Sequence, residues 1–134
     1  MGRWQKLGTN PTIICDAGHN IGGIKYIVEQ LSRKKHDTLR IVFGMVNDKD
    51  INSVLSMMPK NATYYFTRAT VKRALPSESL AEQAAKYNLK GACYPTVDEA
   101  LEAAKRDASP NDLIFIGGSC FIVADLLSSL QDCK

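Results

Sequence analysis

Four short runs constrain this chain more than anything else in it: TIIC (12–15), LRIVFGM (39–45), ATYYFT (62–67) and DLIFIG (112–117). Each is apolar at nearly every position instead of every second one. A strand with one wet face alternates; a strand buried on both faces does not, and such strands belong to parallel sheets covered by helices on either side. The intervening stretches have helical periodicity. Residues 20–34 place Ile21, Ile24, Tyr26, Ile27, Val28 and Leu31 on an apolar stripe behind Asn20, a good N-cap. Residues 50–58 make a shorter helix, begun by Asp50 and stopped by Pro59. SESLAEQAAKYN opens with Ser77 and carries Glu78 in its first turn, TVDEALEAAKRD pairs Thr96 with Glu99 at capping-box spacing, and SCFIVADLLSSLQ starts from Ser119 as its cap.

Strand alternating with helix predicts an α/β domain with a mostly parallel sheet. GACYP (91–95) is a weaker strand, and GRWQKLG (2–8) is either a leading edge strand or a linker. Met45, Met57, Met58, Cys15 and Cys120 are expected in or near the core. No repeat or low-complexity segment appears, so residues 1–134 read as one domain.

Several function classes are disfavoured. The net charge is only +3, and the basic residues are scattered without interleaved aromatics, so nucleic-acid binding is not expected. The densest basic cluster, SRKKHD (32–37), falls where a helix ends, and His36 within it reads as a surface residue. The four cysteines include no C-x-x-C pair and no His at ligand spacing, so no metal site is expected; a reduced, cytoplasmic protein is the simplest reading. No run is apolar for long enough to cross a membrane. There is no G-x-x-x-x-G-K-[ST] loop, no G-x-G-x-x-G fingerprint and no nucleophile elbow.

What remains is the edge where parallel strands end, the usual place for ligands in open α/β sheets. Asp16-Ala17-Gly18-His19-Asn20 follows the first buried run, VNDKD (46–50) the second, TRATVKRALP (67–76) the third and Gly117-Gly118-Ser119 the last. Asp16 can accept from a ribose, and His19 can donate to a carboxylate or phosphate. Lys49, Arg68, Lys72 and Arg73 offer positive charge, Gly117 and Gly118 allow close backbone approach, and Ser119 sits at a helix N-terminus. Such an edge suits a small acidic ligand, a nucleotide, or both. The plain alternative is turn chemistry with an N-cap, which would account for Asn20 and for the glycines without any ligand.

The order GRWQ, D-A-G-H-N, GMVNDKD, RALP, GGS resembles the C-terminal domain of folylpolyglutamate synthases, including bifunctional dihydrofolate synthases, in the Mur ligase superfamily. The likeness implies a Rossmann-like three-layer α/β domain of the Mur ligase C-terminal type. The implied activity is an ATP-dependent ligase that joins glutamate to folate or dihydropteroate through an acyl phosphate. It further implies an N-terminal ATP-binding domain of the same polypeptide, outside this sequence, that carries the P-loop and the Mg2+ ligands; this domain alone would be inactive. By the same likeness Arg3, Asp16 and Asn20 serve ATP, and His19, Lys49, Ser119 and, less directly, Arg73 serve glutamate, with His19 and Asp16 the catalytic pair. The family block reads Asp-Gly-Ala-His-Asn, whereas here the glycine stands one place later, at Gly18. The rivals are a cell-wall Mur ligase, a stand-alone module for a nucleotide or acidic metabolite, and a purely structural domain.

Overall fold

The computed structural model describes residues 4–47 and 50–132. In chain order the elements are β1 (Gln5–Gly8), β2 (Thr12–Asp16), α1 (Ile21–Arg33), β3 (Leu39–Phe43), α2 (Ile51–Met57), β4 (Thr63–Phe66), α3 (Ser77–Ala85), β5 (Gly91–Cys93), α4 (Val97–Asp107), β6 (Leu113–Gly117) and α5 (Cys120–Asp132). One six-stranded sheet runs β1-β2-β6-β3-β4-β5. Every neighbouring pair from β2 to β5 is parallel. Within GRWQKLG, Gln5–Gly8 form an edge strand, β1, antiparallel to β2. Among the described residues no helix is long and apolar enough to cross a membrane.

The both-face apolar runs divide their side chains between two cores. Ile14, Ile41, Phe43, Tyr64, Phe66, Leu113 and Phe115 pack against α1, α2 and α3. Cys15, Val42, Tyr65, Ile114 and Ile116, the residues between them, pack against α4 and α5. Period-2 geometry thus makes each strand serve both layers, which is why the runs are continuous and not alternating. Met45 and Met58 are buried and Met57 lies against the first core. Burial, with the Asp16 charge adding to it, pushes the Cys15 thiol up to about 11, so it is an inert core group.

Three expected caps are present. Asn20 Oδ1 accepts from Gly23 N–H at 2.8 Å, Thr96 Oγ1 from Glu99 N–H at 3.1 Å, and Ser119 Oγ from Ile122 N–H at 3.2 Å. Each such bond is worth about 1 kcal/mol.

Two expectations about burial need correction. In α1 the buried positions are Ile24, Ile27 and Leu31, while Tyr26 and Ile21 are exposed. Tyr26 is two residues from Ile24, about 200° round the helix, and Ile21 overhangs as the first helical residue. Cys120 is exposed, not core. It too lies about 200° from a buried residue of its helix, Ile122, so the α5 face that meets the sheet leaves it outside.

At the amino ends of the strands a polar network replaces apolar packing. Arg40 Nε donates to Asp112 Oδ2 at 3.0 Å and Arg40 Nη1 donates to Tyr65 Oη at 3.0 Å, while Tyr65 donates to Asp107 Oδ2 at 2.8 Å. Asp112 also accepts from the backbone N–H of Thr38 and Ser109. Desolvation pushes this carboxyl up, but those two N–H groups and Arg40 outweigh it and hold it below its ordinary value of 3.8. A depressed carboxyl contributes stability that is present above the unfolded-state value and lost as pH falls through the folded-state value. Asp112→Asn is therefore expected to cost about 2 kcal/mol at neutral pH. The gap from wild type should begin to shrink as pH falls through the unfolded-state value and go on shrinking toward the lower folded-state value, where the native carboxylate protonates as well. Urea unfolding of both proteins at pH 7 and pH 3 checks this; a gap that does not change with pH would remove Asp112 from the account.

Candidate functional site

The strand ends lie level with one another. Asp16 pairs with Gly117, Gly117 with Phe43, and Phe43 with Phe66. The polar clusters that follow these four residues are therefore brought to one edge of the sheet. Helices α1 and α2, which follow β2 and β3, cover one face, whereas α5, which follows β6, covers the other. The chain thus leaves β6 in the opposite sense from both its neighbours, and in open α/β sheets ligands bind outside the carboxyl ends of strands at such a switch. Gly117-Gly118-Ser119 follows β6 there, between the Asp16–Asn20 block and the exit from β3.

Asp16 forms the floor. It is fully buried, with Oδ1 accepting from Gly18 N–H at 2.8 Å and Oδ2 from Trp4 N–H at 2.9 Å. The Trp4 ring in turn stacks on Phe115, centroids 6.3 Å apart. Gly18 packs against the first turn of α1: a methyl group there would come within 3.1 Å of Ile27 and 3.2 Å of Asp16 Oδ1. The displaced glycine of the block is thus used for close approach to the helix.

His19 and Asn20 are exposed. His19 Nδ1 lies 3.3 Å from Ala17 O, which orients the ring and leaves Nε2 for a ligand. The Asn20 oxygen is committed to the α1 cap, so its amide NH2 is the group left to donate. Ser119 is only 2% exposed, and its oxygen serves the α5 cap; the hydroxyl proton is what it has to offer.

The reading of Gly117 and Gly118 as openings for a ligand is revised. A β-carbon on Gly118, whose φ is +106°, would sit 2.2 Å from Gly44 O, and one on Gly117 would sit 2.7 Å from the Phe115 ring. Protein atoms occupy both spaces, so these glycines are there to let β6 exit tightly beside β3.

The loops after β3 and β4 are strapped together. Asn47 N–H donates to Arg73 O at 2.8 Å, Leu75 N–H donates to Met45 O at 2.8 Å, and Val46 and Ala74 form an antiparallel bridge between them. Arg73 is thereby held beside Val46 and Asn47 with its side chain exposed. The Thr70 backbone N–H and hydroxyl both donate to Asp125 of α5, at 2.8 and 3.1 Å. Arg3 and Lys49 lie outside the described residues. Among the described residues no three His, Cys, Asp or Glu side chains gather as a metal site.

Sequence reasoning missed the Trp4–Asp16, Asn47–Arg73 and Thr70–Asp125 ties. The first two use backbone donors or acceptors that any residue possesses, and the third joins residues 55 apart. The Asx-type turn at Asp16 was the one visible signal, because aspartate before a short glycine turn favours such a bond.

Comparison with known proteins points one way. Residues 2–120 match the family model described as Mur ligase, glutamate ligase domain. The chain is 27% identical over 131 residues to the dihydrofolate synthase/folylpolyglutamate synthase of Escherichia coli K12, covering 97% of this chain and 30% of that protein. A probable bifunctional folylpolyglutamate synthase/dihydropteroate synthase of Haloferax volcanii is 29% identical over 127 residues, covering 92% of this chain and 15% of that one. Escherichia coli FolC solved with DHPP and ADP superposes with a TM-score of 0.87 at 26% identity, over 98% of this chain and 31% of the other. A bifunctional folylpolyglutamate synthase/dihydrofolate synthase solved with Mn, AMPPNP and L-glutamate also gives 0.87, at 27% identity, over 97% and 31%. The chain spans less than a third of the length of each of these four proteins. With the family model covering most of the chain and the fold matching throughout, this protein belongs to the Mur ligase glutamate ligase domain family.

Proposed function

We propose that residues 1–134 form the C-terminal domain of a cytoplasmic, ATP-dependent ligase that adds glutamate to folate or dihydropteroate. One observation carries this reading. The Asp16–Asn20 block meets Gly117–Ser119 at the carboxyl edge of a fold shared with a ligase solved with Mn, AMPPNP and L-glutamate. Glutamate has two carboxylates, and the edge offers His19, the Ser119 hydroxyl, Arg73 and, in sequence, Lys49 to hold them. Orienting the ligand by its carboxylates leaves its amine free to attack.

ATP, when bound, supplies the phosphoryl group that turns the acceptor carboxylate into an acyl phosphate. The glutamate nitrogen then forms the amide bond, phosphate departs and the amine gives up its proton. With both carboxylate oxygens engaged by backbone N–H groups, Asp16 acts as a positioning residue. It fixes the Trp4 backbone just ahead of β1; Arg3, by the resemblance, and the Asn20 amide are the nucleotide contacts. In the same reading Mg2+ accompanies ATP and is held by an N-terminal ATP-binding domain of the same polypeptide, as the resemblance to folylpolyglutamate synthases implies. Closing two domains on one another would exclude water from an acyl phosphate that water destroys.

The test is ligation by the full-length polypeptide with ATP, glutamate and either folate or dihydropteroate, followed by mass spectrometry of the acceptor. Addition of one glutamyl unit with stoichiometric ADP is the expected result. Turnover with a nucleotide-sugar peptide and none with either pterin would replace this reading by that of a cell-wall ligase.

A further inference from the structure

The loop after β4 has cations that the glutamate site does not use. Arg68, Thr70, Lys72 and Pro95 line a shallow depression of about 340 Å³ on the same edge of the sheet, and no carboxylate lines it. Its neighbours differ. A depression beside α4 is lined by Asp98, Glu99 and Glu102 as well as Arg106, and the groove at the amino edge sets Asp37 and Asp112 against Lys34 and Lys35. Among the described residues, neither Arg68 nor Lys72 has an ion-pair partner. The loop is nonetheless held firmly. Thr70 is tied to Asp125 by two hydrogen bonds, Ala74 N–H donates to Val71 O at 3.1 Å, and the strap to residues 45–47 closes its far end. A fixed loop that presents two cations without ion-pair partners at the rim of a concavity, while its nearby Asp125 carboxylate is taken up by Thr70, is preorganised for an anion.

The anion's chemistry follows from the reaction, so this inference rests on the reading proposed above. Each glutamyl unit added to a folate leaves a further free carboxylate on the product, and that product is the acceptor of the next round. A first acceptor such as dihydropteroate has no such tail. We propose that Arg68 and Lys72 form a second anionic subsite, distinct from the glutamate site, that holds the acidic tail of an oligoglutamyl acceptor. The subsite makes the enzyme favour acceptors that already carry several glutamates. It also makes that preference sensitive to salt, because exposed charges are screened over about 8 Å at physiological ionic strength.

The experiment compares full-length wild type with the double variant Arg68→Ala/Lys72→Ala and with the single, exposed charge reversal Lys72→Glu. The acceptors are folates carrying one and three glutamyl residues. Loss of two charge-assisted contacts should raise the KM for the triglutamyl acceptor by roughly tenfold or more. The KM values for the monoglutamyl acceptor and for ATP should stay within about twofold, as expected for surface sites outside the reaction centre. In wild type alone, the triglutamyl KM should climb as salt is added. Binding of fluorescein-labelled triglutamate, followed by anisotropy, gives a readout that does not need turnover; it should weaken by a similar factor in both variants. Equal KM changes for both acceptors, or unchanged triglutamate binding, would overturn the subsite. Triglutamate binding that weakens in the variants of a polypeptide that ligates no pterin would support the subsite and overturn the folate reading instead.

Discussion

Gly118→Ala should lose at least about 3 kcal/mol of folding stability, enough to leave a domain of this size marginal or unfolded. The new methyl would stand 2.2 Å from Gly44 O, a backbone atom that cannot swing aside, and 2.9 Å from the Phe43 ring. The residue also has φ +106°, outside the region that side chains tolerate well. Moving Gly44 offers no relief, because Gly44 N–H is bonded to Gly117 O and a side chain there would itself strike Ile122. Gly22→Ala is the matched control. Its methyl would meet only Asn20 Oδ1, at 3.7 Å, on the exposed side of α1, so helix propensity should make it neutral or stabilising by up to about 1 kcal/mol. The urea midpoint should fall steeply for Gly118→Ala and hold or rise for Gly22→Ala. Equal midpoints would mean that β6 does not leave the sheet as described.

His19→Ala should act on the reaction and leave the fold alone. The side chain is exposed, and its one hydrogen bond is a local one to Ala17 O, so stability should change by less than about 0.5 kcal/mol. A charge-assisted hydrogen bond to a substrate carboxylate is worth about 1.5–3 kcal/mol, which is a rise of roughly 10- to 150-fold in the KM for glutamate. The KM for ATP should stay within about twofold, since Asn20 and Arg3 contact the nucleotide in the proposed arrangement and Asp16 acts only as a positioning residue. Steady-state kinetics of the full-length polypeptide with each substrate varied separately makes the measurement. An unchanged glutamate KM, or an equal loss for both substrates, would take His19 out of the glutamate site.

The sheet was legible because burial on two faces is written directly into composition: TIIC, LRIVF, TYYF and LIFIG allow no wet side. The caps at Asn20, Thr96 and Ser119 were legible because a short polar side chain before a helical run has one favoured use. Orientation about a helix axis was less so. Tyr26 joined the apolar stripe by its chemistry although its angle sends it to solvent, and Cys120 was assigned inside on residue type while helix phase puts it outside. Gly117 and Gly118 show a different limit. A glycine next to a strand end says that something comes close, but not whether it is a ligand or the chain's own backbone, and here it is Gly44 O and Phe115. The Arg40–Asp112–Tyr65–Asp107 network could not be read at all, since it exists only once β3, β4, β6 and α4 have been set side by side.

The hydrogen bond from Trp4 to Asp16 has a mechanical consequence. Asp16 holds the lead-in to β1 with one oxygen and the turn toward His19 with the other, and its backbone is in the sheet register opposite Gly117. The carboxylate is therefore a fulcrum. Torque applied through Trp4 reaches the turn before His19 across a single rigid group, without passing through the helices. A rotation of the backbone at Trp4 therefore changes the angle of the turn that carries the exposed imidazole of His19.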